Sequence, residues 1–166
     1  MSESIAETSD PLQLLEREDS VEALQRYLLD CIPLLQHMNV SVNRIDREAV
    51  RIAAPLAPNS NHIGTAFGGS LHGLGTLAAW GLLWVLLRDQ PDVSLVIRDS
   101  SMRYLEPAKD DLVAVCETPN VGLVTQFLRG IQRRSKSAIE LQARVESAGR
   151  TCAEFRGVFV AIRARK

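Results

Sequence analysis

The chain has 166 residues, of which 46% are hydrophobic and 23% charged, with a net charge of −1. That length suits one domain with a sizeable core, and the near balance of charge removes any bulk electrostatic case for nucleic acid. Charge is nevertheless uneven: residues 1–20 carry six acids against Arg17, while residues 121–166 carry ten Lys or Arg against three Glu, a net of +7. A basic face of that kind can receive phosphates or an acidic partner, although most such faces are simply solvated.

The opening Met-Ser-Glu-Ser-Ile-Ala-Glu puts acids where a secretory signal carries bases, and no apolar run follows it. Residues 1–20 are therefore expected to be an acidic, flexible leader, and residues 21–166 a single domain. Val21, Leu24 and Leu28 among Glu and Arg make a short amphipathic helix over about residues 21–30, which Pro33 ends or bends. Two β runs follow, Asn39–Ile45 and Ala49–Ala54, joined around Asp46-Arg47-Glu48 as a hairpin. Pro55 and Pro58 open a loop that leads to Asn59 and Asn61.

Asn61-His-Ile-Gly-Thr-Ala-Phe-Gly-Gly-Ser-Leu-His72 then runs straight into an apolar segment ending at Leu87. Glycines let a main chain approach a ligand, and the first N–H groups of a helix lack internal partners. With the positive end of the helix dipole they form a cradle for a carbonyl or an anion. The plainer alternative is an ordinary loop and helix start. Leu71–Leu87 falls short of the ~20 apolar residues a bilayer span needs and contains His72 and five small residues, so a buried core helix is expected rather than membrane insertion.

Beyond the break at Asp89-Gln-Pro-Asp92, Val93–Leu105 reads as a long extended run and Leu112–Glu117 as another strand. Leu123–Ile131 fits neither period clearly. Ile139, Leu141, Ala143 and Val145 alternate with Glu140, Gln142, Arg144 and Glu146, and after the turn at Ala148-Gly149-Arg150 the chain returns over Thr151–Arg163. A strongly bent antiparallel sheet around one central helix satisfies this order, an α+β arrangement. Cys31, Cys116 and Cys152 are odd in number and widely spaced, which argues against disulfides and zinc and for reduced thiols in the cytoplasm.

The order of elements, the motif Asn61-x-x-Gly64-Thr65-x-x-Gly68-Gly69 and the later Arg103-Tyr104-Leu105-Glu106-Pro107-Ala108 resemble the hotdog-fold acyl-thioester hydrolases. Gly-Thr-Ala-Phe-Gly-Gly-Ser-Leu followed by Leu-Ala-Ala-Trp-Gly-Leu-Leu more narrowly resembles the thioesterase-like domain that follows an acetyltransferase domain in some bacterial proteins. The stretch before residue 21 is too short to hold such an acetyltransferase domain. The resemblance implies that Asn61 orients the substrate or the attacking water and that the Gly68 amide polarises the thioester carbonyl. Gly64, Thr65, Phe67 and Gly69 are then expected against the substrate. Many relatives place a carboxylate seven residues after the second glycine, a position occupied here by Thr76, and a His before the glycine pair, where this chain has Phe67.

A neutral Thr76 can hold a water but cannot act as a strong base. His72 lies four residues earlier on the same helix face and can share that task. The plainer role for His72 is a hydrogen-bonded core or interface histidine, and His62 reads as a loop residue. By family position Asp99 is the nearest carboxylate, with Ser100 and Ser101 beside it as substrate contacts; the plainer role for Asp99 is an ion pair with Arg98 or Arg103. Thr76 as water holder comes first among these, then Asp99, then His72. The implied activity is hydrolysis of acyl thioesters of coenzyme A or acyl carrier protein by a homodimer or dimer of dimers, the Asn61 loop facing the partner's strand near Asp99. No metal or redox cofactor is implied; coenzyme A or phosphopantetheine is part of the substrate. The competing readings are a non-catalytic acyl-thioester-binding module and, more distantly, a dehydratase or hydratase of the same fold.

Overall fold

The apolar run that begins at the glycine pair becomes the axis around which everything else is laid. The computed structural model describes residues 10–164. Its helices are α1 (Ser20–Cys31), the one-turn α2 (Leu34–His37), α3 (Gly68–Leu87) and α4 (Val121–Arg134). Its strands are β1 (Ser41–Ile45), β2 (Ala49–Ala54), β3 (Val93–Tyr104), β4 (Leu112–Glu117), β5 (Lys136–Ser147) and β6 (Arg150–Arg163). They form one antiparallel sheet in the order β1-β2-β4-β5-β6-β3.

Helix α3 has no charged residue or proline, and it packs against β2, β3, β4, β5 and β6 at once. A helix apolar on nearly all sides needs that cover, and the curved sheet supplies it. The helix starts at Gly68, ahead of the apolar stretch Leu71–Leu87, so its 20 residues reach the length of a bilayer span. Most of it is nonetheless enclosed by the sheet as the core of the domain. Gly75 seats α3 on β6: a Cβ there would stand 2.7 Å from Cβ of Phe155. Gly81 does the same for α1, where the nearest atom to such a Cβ is Leu24 Cδ2 at 2.9 Å.

One segment differs from the sequence reading, and a second, left open there, is resolved. Pro11–Glu16 is a 3-10 helix, capped by Asp10, whose Oδ1 accepts from the Leu12 amide at 3.1 Å. Leu12 and Leu15 are buried in the core. Residues 10–20 are therefore packed on the domain, and part of their acidity is ion-paired: Asp10 and Glu16 with Arg47, Asp19 with Arg88. Two leucines among acids carry too short a pattern to reveal their own burial; residues 1–9 lie outside the described residues. The second segment, Leu123–Ile131, belongs to α4 rather than to the sheet. Val124, Phe127 and Ile131 recur at helical spacing and are buried, and Asn120 Oδ1 caps the start by accepting from the Leu123 amide at 2.9 Å.

Candidate active site

Helix α3 begins without a capping side chain. Its N-cap position is Phe67, which has no polar group to offer. The amides of Gly68, Gly69 and Ser70 precede the first intrahelical bond, which runs from the Leu71 amide to the Phe67 carbonyl at 3.1 Å. Two aromatic rings flank these donors. The Phe67 ring lies over Gly69, within 2.3 Å of where a Cβ would be, and the Tyr104 ring lies over Gly68, with its oxygen 3.2 Å from the equivalent point. Both rings are 57% exposed, so the cradle opens to solvent between them.

The loop ahead of the helix is held from within by Asn61. Its Oδ1 accepts from the amides of Ile63 (3.0 Å) and Thr65 (3.1 Å), while its Nδ2 donates to Thr65 Oγ1 (2.9 Å) and the Ala66 carbonyl (3.4 Å). Every hydrogen-bonding position of the amide is thereby occupied. In this structure the Asn61 amide shapes the loop from within. Thr65 is buried with its hydroxyl accepting from Asn61 Nδ2. Gly64 supplies the turn, with φ of +78° and open space around it.

One turn into α3, His72 Nε2 and Ser100 Oγ of β3 share a hydrogen bond of 3.0 Å. The imidazole packs on Phe155, with ring centroids 5.6 Å apart. Thr76, a further turn along, donates its hydroxyl hydrogen to the His72 carbonyl at 2.9 Å, leaving only oxygen lone pairs to receive a water. His72, Thr76 and Ser100 therefore come together on the open face of the helix, beyond the Gly68–Gly69 amides.

Asp99 and Ser101 do not join them. Ile97 pairs with Phe159 and Asp99 with Val158, so Arg98 is the extra residue of a bulge. Up to the bulge, odd-numbered residues of β3 face α3; beyond it the even ones do, as Ser100 shows by meeting His72 and Tyr104 by meeting Gly68. Asp99 pairs with Val158 and Ser101 with Arg156, on the outer face of the sheet, and Asp99 bonds Arg98 at 3.0 Å. A one-residue insertion reverses every following side chain, which no alternation pattern in this polar stretch announces. The same parity brings in Tyr104, a site residue that lies in the motif of residues 103–108 and carries no chemical signal of its own in the sequence. Phe155 is the other, hidden in a strand that read simply as core.

The geometry can be set beside known proteins. A protein of unknown function from Chlorobaculum tepidum TLS superposes with a TM-score of 0.83 at 24% identity, covering 87% of this chain and 94% of that one. A thioesterase, described as putative, from Shewanella oneidensis matches at 26% identity and a TM-score of 0.78, covering 88% and 99%. A probable thioesterase from Pseudomonas aeruginosa matches at 22% identity and 0.75, covering 86% and 95%. The fold is the hotdog arrangement that the motifs implied. Residues 21–163 match the family described as putative thioesterase (yiiD_Cterm), and the chain belongs to that family.

Proposed function

We propose that this protein hydrolyses acyl thioesters carried on coenzyme A or on the phosphopantetheine of an acyl carrier protein. The observation that carries this reading is the uncapped start of α3, open between Phe67 and Tyr104, with His72 and Ser100 paired one turn away. A thioester carbonyl oxygen placed on the Gly68 and Gly69 amides gains negative charge as water adds to its carbon. Preorganised amides at a helix N-terminus oppose that charge at no reorganisation cost, and one such donor is worth about 10²–10³ in rate. His72 takes the proton from the attacking water and returns it to sulfur as the C–S bond breaks, releasing a carboxylic acid and a thiol. Thr76 accepts a hydrogen bond from that water. Asp99, turned to the outer face, has no step.

Assembly follows from the same surface. β3 is a 12-residue strand at the edge of the sheet, and Val96, Ile97, Leu105, Tyr104 and Phe67 are exposed along it and at the cradle. A long bare edge beside apolar side chains is what a second copy covers. A homodimer through β3 closes the open side of the site, and light scattering at micromolar concentration should give twice the chain mass; a monomer would remove this part of the reading.

One specific observation favours a second reading, a binding module: α3 carries no carboxylate at all, and the Thr76 hydroxyl hydrogen is spent on the helix. A panel of acyl-CoA chain lengths with free-thiol readout separates the two. The hydrolase reading expects thiol release from at least one member and its loss in His72→Ala. No thiol from any member, with ligand-dependent thermal stabilisation retained, would decide for the binding module.

A further inference from the structure

We propose that Tyr104 is a positioning residue for this site, acting through the Gly68–Gly69 peptide; the proposal rests on the α3 N-terminus being where the thioester carbonyl binds. The Tyr104 phenol donates to the Gly68 carbonyl oxygen at 3.1 Å. Within the helix that oxygen is also the acceptor for the His72 amide, four residues on. Both of its lone pairs are therefore engaged. The carbonyl belongs to the same peptide unit as the Gly69 N–H, one of the three uncapped donors. Drawing electron density toward oxygen polarises that N–H, because hydrogen bonds in a chain strengthen one another. The phenol thus makes Gly69 a stronger donor toward charge forming on a bound carbonyl.

The ring also fixes the direction of that peptide. Three of its atoms stand 3.2–3.4 Å from the point a Cβ on residue 68 would occupy. The ring fills the space that only glycine leaves, and it blocks rotation of the Gly68 carbonyl away from the phenol. Tyr104 reaches this place because the bulge at Arg98 turns even-numbered residues of β3 toward the helix. It is anchored yet remains largely exposed, at the mouth rather than in the core.

Tyr104→Phe keeps the ring and removes the donor. The expected result is a fall in kcat of about three- to ten-fold with KM little changed, an unchanged Tm, and an upfield move of the Gly69 amide proton in a glycine-selective 15N spectrum. Tyr104→Leu, which removes the ring as well, should lose more. Wild-type turnover in Tyr104→Phe overturns the positioning role, and a stationary Gly69 resonance overturns the route through the peptide. Should the wild type release no thiol from any acyl-CoA, the hydrolase reading fails by itself, while the Gly69 resonance still reads whether the phenol polarises the amide.

Discussion

Two glycines of α3, two residues apart, should respond in opposite directions to the same substitution. Glycine in a helix interior costs about 1 kcal/mol relative to alanine, so each Gly→Ala begins with a gain of that order. At Gly73 the nearest atom to a new Cβ is Met38 Cε at 3.9 Å, an ordinary van der Waals distance. Gly73→Ala should therefore stabilise the protein by about 0.5–1 kcal/mol. At Gly75 the new atom would stand 2.7 Å from Phe155 Cβ and 2.9 Å from Cγ. These are the rigid base of the side chain, and Phe155 is paired to Ala143 of β5 on one side and Met102 of β3 on the other. Neither strand can withdraw, so the overpacking term of about 1–3 kcal/mol applies near its upper end. Subtracting the helix gain leaves Gly75→Ala destabilised by about 1–2 kcal/mol. For a domain of this size each kcal/mol moves Tm by roughly 2–4 °C. Thermal or urea melts at matched concentration should then place Gly73→Ala above the wild type and Gly75→Ala below it. Equal stability of the two variants would refute the close seating of α3 on β6.

The site makes its own forecasts. His72→Ala should abolish thiol release, whereas Asp99→Asn should leave kcat/KM within about two-fold of wild type, since the carboxylate lies on the other face of the sheet; a dead Asp99→Asn would reverse that assignment. The Leu12 amide and then the Arg47 guanidinium hold the Asp10 carboxyl below the usual carboxylate range. A depressed carboxyl contributes stability above its unfolded value and loses it as pH falls through the folded one. Asp10→Asn should accordingly melt below the wild type at neutral pH, and the two curves should approach one another as the pH falls below the usual carboxylate range; a pH-independent difference would rule out the charge as its source.

Much of this protein was legible in the order of its residues. The apolar span after the glycine pair, the alternation from Ile139 to Glu146 and the turn at Ala148-Gly149 each carry a period or a backbone requirement that needs no neighbour to define it. The glycine pair ahead of the helix left a bare start and an ordinary capped start both open, and the structure shows that no side chain caps it. α4 was less legible because its spacing serves two masters, and it was settled by what Val124, Phe127 and Ile131 pack against.

Which side chains meet at the cradle was decided only by tertiary structure. Asn61 has the composition of a catalytic amide, yet four local hydrogen bonds consume it, and those depend on how the loop closes. On β3 the single extra residue at Arg98 exchanges the two faces of the strand, sending Asp99 and Ser101 outward and Ser100 and Tyr104 toward α3. The face a residue takes beyond a bulge depends on the register of its strand against the neighbour, and the shift at Arg98 shows only once β3 is laid against β6. Residue types could therefore name the chemistry of this site, while the register of one strand against another chose its members.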